Sequence, residues 1–259
     1  MTDHVFDTDT AVTPSGTGRF SGHLHERWTI GDVPNGGYAM ALMLRANQAV
    51  SDHPDPLTTT AHFLSPTAAG PVEVATRVEK PGRSTTTISS SLIQDGRQRI
   101  AMLTTLGSLD ARGGPTTRYL DPPSLEGPFE QRRSLLMQRF PENFDFRIPE
   151  AVAGGIVGEP TGSPEIGGTI AFSDGREPDL LALPVMADGF PPVAFNLGHV
   201  AWTPTLELTI HFWNHPAPGP ITAWLQSETL EGGYHDESAT LWDSNGAVVA
   251  RSRQLAVIL

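Results

Sequence analysis

Thr59-Thr60-Ala61-His62-Phe63 and Leu208-Thr209-Ile210-His211-Phe212 are the two stretches whose comparison decides the fold. They stand 149 positions apart, a separation shared by Gly70-Pro71 with Gly219-Pro220 and by Glu79 with Glu228. One residue is then inserted, because the turn residues Asp95-Gly96 match Asn245-Gly246 at a separation of 150, and Ile100 to Leu106 match Ala250 to Ala256. A shared separation over several motifs reads as two copies of one structural unit. Function is then expected where the copies differ.

Composition sets the frame for that reading. A chain of 259 residues is long enough for two small domains that each bury a core. The repeat divides it into residues 1–110, a linker at 111–143 rich in proline, glycine and charge, and residues 144–259. With 38% hydrophobic residues and no long apolar run, the chain reads as globular rather than membrane-spanning or disordered. Met1-Thr2-Asp3-His4 has neither the basic nor the apolar stretch of a signal peptide, so a cytoplasmic location is expected. The formal charge of −12, with scattered basic residues, argues against nucleic acid and for a small organic substrate. Without cysteine there is no disulfide, thiolate nucleophile or thiolate metal ligand. Of the nine histidines only His23 with His25 and His211 with His215 lie close together, and no metal site is expected.

Periodicity gives each copy one helix ahead of a series of strands. In the first, Arg27 to Ile30 reads as a short strand and Gly36 to Val50 as a helix apolar on most of its circumference, hence buried. Strands follow at Thr59 to Leu64, Val72 to Glu79, Thr85 to Gln94 and Arg99 to Leu109, the last two joined at Asp95-Gly96 by a tight hairpin. The second copy predicts a strand over Thr169 to Phe172, a helix over Pro178 to Asp188, and strands over Leu206 to Phe212, Ile221 to Thr229, His235 to Asp243 and Val248 to Ile258, with Asn245-Gly246 as the matching hairpin. A short helix is expected near Glu130 to Phe140 in the linker. This order resembles the hotdog fold. The expected class is α+β, a double hotdog of two tandem repeats, each with a long helix wrapped by a curved antiparallel sheet; further pairing into a homo-oligomer across free sheet edges is allowed.

No Gly-x-Ser-x-Gly elbow, phosphate-binding loop, dinucleotide turn or His-Glu-x-x-His zinc helix occurs. At the entrance to the first helix, Asn35, Gly36, Gly37 and Tyr38 offer free backbone N–H donors and the positive end of the helix dipole, a setting suited to binding a substrate carbonyl. The same glycines also suit a plain tight turn with close helix packing. Differences between the copies mark a second group. Glu207 stands where the first copy has Thr58, Thr229 where it has Lys80, and Gln254 where it has Thr104. A carboxylate, a hydroxyl and an amide on three strands suit the holding and deprotonation of a water, and they suit outward-facing strand positions equally.

Over nearly its whole length, from Phe20 on, the chain resembles the type II acyl-CoA thioesterases, in particular their actinobacterial branch. The resemblance rests on Gly36-Gly37-Tyr38, His62-Phe63-Leu64-Ser65-Pro66 and the Val78-Glu79 to Asp95-Gly96 hairpin in the first half, and on Thr205-Leu206-Glu207, Ser227-Glu228-Thr229 and Val249 to Gln254 in the second. It implies hydrolysis of acyl-CoA to free acid and CoA, with no cofactor beyond the CoA of the substrate. It also implies that Glu207, Thr229 and Gln254 fill the places of the family's water-holding aspartate, threonine and glutamine, with Glu in place of Asp. Two other readings stand beside it: a non-catalytic acyl-CoA binding protein, and a hotdog enoyl-CoA hydratase or dehydratase.

Overall fold

The computed structural model describes residues 4–111, 113–130 and 139–259. Helix α1 (Val5–Asp9) leads to the hairpin β1 (Thr13–Gly16) and β2 (Arg19–Leu24), and the short pair β3 (Thr29–Ile30) and β4 (Val33–Pro34) delivers the chain to α2 (Gly36–Gln48). The strands β5 (Asp55–Phe63), β6 (Gly70–Lys80), β7 (Thr86–Gln94) and β8 (Arg97–Gly107) follow. Next come β9 (Phe129–Glu130), β10 (Phe144–Pro149), α3 (Glu150–Ala153), β11 (Glu165–Phe172) and α4 (Leu183–Ala187). The chain closes with β12 (Thr205–Phe212), β13 (Ile221–Gln226), β14 (Leu230–Glu231), β15 (Tyr234–Trp242) and β16 (Val248–Val257).

All strands but β3 and β4 belong to one antiparallel sheet, ordered β1-β2-β6-β7-β8-β5-β12-β16-β15-β13-β11-β10-β9, with β14 beside β15. Outward from the β5–β12 contact the two sides run in parallel order, β5-β8-β7-β6-β2-β1 against β12-β16-β15-β13-β11-β10. At the centre Thr60 pairs with Thr209, its own counterpart 149 positions on, and their hydroxyls are 2.8 Å apart. On either side Ala61 faces Leu208 and Thr59 faces Ile210. A residue on a two-fold axis meets its own copy, so this register places an approximate dyad between the two threonines.

The inner face of the sheet packs on α2. Ten of its thirteen residues are buried, which its apolar circumference requires. Asn35 starts the helix by accepting the Tyr38 N–H at 2.9 Å. Where α2 meets α4 the backbones touch: a Cβ on Gly37 would lie 2.2 Å from the Pro184 carbonyl oxygen and 2.8 Å from the Val185 Cα. An aromatic group continuous with this core ties the ends of the two halves together, with Phe6 packed on Trp28 and Phe172, Trp28 stacked on Tyr38, and Arg176 bridging Asp7 and Asp179.

Several expectations change. The second helix is not long: the segment from Pro178 forms turns, and only Leu183–Ala187 is helical. Pro184 is tolerated in the first turn, while Gly189 and the pair Pro191-Pro192 stop the helix immediately after it. Asp95-Gly96 does form a two-residue turn with φ of 53° and 71°, but the loop between β15 and β16 is longer, because the Asp243 carboxylate gathers the N–H groups of Ala217, Asn245 and Ala247. Glu26–Trp28 is a 3-10 turn rather than strand, and β1 and β2 at one end of the sheet and β9 and β10 at the other are strands that the repeat did not reveal. Residues 131–138 of the expected linker helix lie outside the described residues, and Phe140–Asn143 is a 3-10 turn. Among the described residues no helix is long and apolar enough to cross a membrane.

The contact at Gly37 generates a direct test. Gly37→Ala is expected to lose about 1–3 kcal/mol or more, the range for overpacking, because the obstructing atoms are backbone. An unchanged urea midpoint would show that the helices separate there at no cost.

Candidate active site

A cavity of about 370 Å³ opens between the halves, large enough for a small organic group. Its apolar wall draws Ile30, Phe63, Phe190, Phe195, Trp202 and Leu206 from both halves. Its polar residues are concentrated where the entrance of α2 meets the residue after α4 and the inner faces of β15 and β16: Asn35, Asp188, Thr205, His235, Glu237 and Gln254.

Asp188 sits one residue beyond α4, against the N-terminus of α2. Its Oδ2 accepts the Gly37 N–H at 2.8 Å and the Asn35 Nδ2 at 2.9 Å, and Asn35 Nδ2 also donates to the Asp188 carbonyl at 2.8 Å. Placement of a carboxylate at a helix N-terminus is favourable. Burial nonetheless raises its pKa to about 6, with the N–H groups of Gly37, Asn35 and Gly36 opposing the rise. Asn35 and Gly37 both bind Oδ2, and Asp188 borders the cavity.

Glu237 is the second acid. On β15 it is 3% exposed, with Oε2 accepting the Val193 N–H and Oε1 accepting Gln254 Nε2, both at 2.7 Å. Gln254 Oε1 in turn accepts the Thr205 hydroxyl at 2.8 Å. Burial raises the Glu237 pKa to about 7, and the charges of Asp188 and Asp236 push the same way. Glu237 pairs with Gln254 across β15 and β16. In the first half the corresponding pair is Ile88 with Thr104, both fully buried. The polar apparatus therefore exists once.

Of the expected water-holding set, only Gln254 borders the cavity. A bulge between Thr205 and Glu207 adds one residue to β12 and reverses the side-chain alternation. Thr205 consequently faces inward beside Gln254, whereas Glu207 pairs with Leu255 and His62 on the outer face and accepts the Thr209 hydroxyl at 2.5 Å. Thr229 is exposed beyond the end of β13, where its N–H donates to Asp236. The other expected group is divided as well. Asn35 and Gly36 border the cavity, Gly37 spends its N–H on Asp188, and Tyr38 turns away, fully buried and donating to the Asp9 carbonyl at 2.7 Å.

The residues that sequence reasoning passed over are Asp188, Glu237, Thr205 and His235. A signal for Glu237 was present: His235, Glu237, Ala239 and Leu241 share one strand face, so an acid stands in the phase that carries the core. Asp188 carried no comparable mark, since its role arises from a contact with Asn35, 153 positions away.

Comparison with known proteins agrees with this architecture. Residues 24–108 match the acyl-CoA thioesterase N-terminal domain, and residues 117–258 the acyl-CoA thioesterase C-terminal domain. A Thermobifida fusca structure described as a candidate thioesterase II is 32% identical, with TM-score 0.89 over 100% of this chain and 99% of that one. A protein of unknown function with a hot dog fold from Alicyclobacillus acidocaldarius is 20% identical, with TM-score 0.87 over 99% and 98%. The acyl-CoA thioesterase II TesB2 of Mycobacterium marinum is 16% identical, with TM-score 0.77 over 98% of each chain. The fold is thus the hot dog fold.

The two raised carboxyl pKa values have a consequence for stability. Both groups bind a proton more tightly folded than unfolded, so their contribution is fully present below about pH 4 and is lost as pH rises through about 6 and 7. Asp188→Asn and Glu237→Gln are each expected to flatten the fall in unfolding free energy between pH 4 and 7 relative to wild type, as read by urea titrations across that window. Parallel profiles would rule out the shifts.

Proposed function

Because the chain belongs to the acyl-CoA thioesterase family, we propose that it hydrolyses acyl-CoA thioesters to the free acid and CoA at one site, the cavity between its halves. The observation that carries this reading is the pair of carboxyl groups, the half-buried Asp188 and the buried Glu237, at the polar end of an apolar cavity. The chain is a double hotdog in this reading, with residues 1–110 and 144–259 as the two units and 111–143 as the link, and the dyad at Thr60 and Thr209 supports it.

The chemistry follows from the ionisation order. Two neighbouring carboxyls do not ionise together without cost, and the proton stays on the group with the higher pKa. At neutral pH Asp188 is ionised, while Glu237 keeps much of its proton. Asp188 Oδ1 takes a proton from a water as the water oxygen bonds to the thioester carbonyl carbon. The tetrahedral intermediate then collapses, the C–S bond breaks, CoA leaves as the thiolate, and the proton on Asp188 passes to solvent. Asn35 and Gly37 hold the other carboxylate oxygen still. Thr205 and Gln254 fix Glu237 from the side opposite Val193. The acyl chain occupies the wall of Phe63, Phe190, Phe195 and Trp202, where burial of each methylene contributes about 0.8 kcal/mol.

A thiol-release assay over short, medium, long and aromatic acyl-CoAs tests the reading. Asp188→Asn is expected to lower kcat by about 10²-fold or more, the range for losing a general base, while Glu207→Gln on the outer face leaves it unchanged. Full turnover by Asp188→Asn overturns the assignment of the base. Tight acyl-CoA binding by wild type without thiol release overturns hydrolysis in favour of a binding protein.

A further inference from the structure

We propose that His235 is a further catalytic residue of this site: its neutral imidazole donates an N–H to the thioester carbonyl oxygen and to the oxyanion formed from it. The inference rests on the hydrolytic reading above and adds the group that polarises the carbonyl.

His235 is 2% exposed and borders the cavity, yet neither Nδ1 nor Nε2 has a hydrogen-bond partner among the described residues. The adjoining Asp236 backbone and the Asp236 charge favour the charged ring against burial, but no group among the described residues hydrogen-bonds either ring nitrogen. A buried polar group without a partner costs about 1–3 kcal/mol. A fold retains such a cost most readily where the group serves a ligand. The other orphaned side-chain atoms do not border the cavity: Asn47 Oδ1, Ser90 Oγ and Arg99 Nε lie elsewhere.

Position and charge fit the role. His235 and Glu237 are two residues apart on one face of β15, and His235 pairs with Ala256, two residues beyond Gln254 on β16. The ring thus stands along the cavity wall from the carboxyl pair. Burial holds its pKa below the ordinary histidine value, so at neutral pH one ring nitrogen carries a proton and the ring carries no charge. The donors that surround the two acids are already committed. Gly37 N–H and Asn35 Nδ2 serve Asp188, Gln254 Nε2 serves Glu237, and the Thr205 hydroxyl serves Gln254. The helix entrance that would ordinarily polarise a carbonyl instead holds the base, which leaves the carbonyl to another donor.

The test combines turnover with stability, using His235→Phe and His235→Gln. His235→Phe is expected to lower kcat by about 10²- to 10³-fold, the effect of losing one oxyanion donor, with KM little changed. Its Tm is expected to equal or exceed that of wild type, because an unsatisfied polar ring has been replaced by an apolar one. His235→Gln, which keeps an N–H donor, is expected to recover part of kcat; should His235→Phe fail to fold, the comparison of His235→Gln with His235→Leu takes its place. Undiminished kcat in the folded variants, or a rise in KM alone, overturns the role of His235 while leaving hydrolysis intact. Absence of thiol release from wild type overturns both readings.

Discussion

The close crossing of α2 and α4 at Gly37 is the constraint on which the rest depends. Only a residue without a side chain lets the Pro184 carbonyl approach that point. The approach brings the residue after α4 to the first turn of α2, so that Asp188 meets the N–H of Gly37 and the amide of Asn35. Were the helices separated by even one methyl group, the carboxylate would lose the donors that orient it. A packing contact between the halves therefore also sets the geometry of the site, and the cavity walls come from both halves for the same reason.

Stability and chemistry pull against each other around this point. Glu237 and His235 are buried and Asp188 half-buried beside the cavity, and burial disfavours the charged form of each. The two acids are only partly compensated by backbone and amide donors, and neither ring nitrogen of the histidine has a hydrogen-bond partner among the described residues. In the first half the same strand positions hold Ile88 and Thr104, the latter bonded to Thr59 and Asn47 inside an ordinary core. One half thus keeps the conventional interior, and the other accepts buried polar groups beside a cavity. The dyad at Thr60 and Thr209 makes the contrast interpretable, since it fixes which positions are equivalent.

A large part of the fold was legible in one dimension. The buried helix, the main strands of both meanders and the Asp95-Gly96 turn follow from periodicity and turn chemistry. The second helix was overextended, because the apolar run from Leu180 to Met186 looks helical until its flanking prolines are weighed. The site was less legible. Gln254 and Asn35 were found, but Glu207 was assigned to the water-holding set from its difference from Thr58 and its place in the family pattern, and it lies on the outer face beside Thr209. A single bulged residue gives the inward position beside Gln254 to Thr205, which unbroken alternation would have turned outward.

By itself the sequence carried the repeated motifs at a spacing of 149, the buried helix of the first half and the differences between matched positions, all of which are local pattern. The tertiary structure alone decided which carboxylates border the cavity. Side-chain direction after a bulge depends on hydrogen-bond register with neighbouring strands, and the meeting of Asp188 with Asn35 depends on a helix crossing between residues 153 positions apart. Neither leaves a mark on local periodicity, because both arise from contacts that exist only once the two halves have closed on each other.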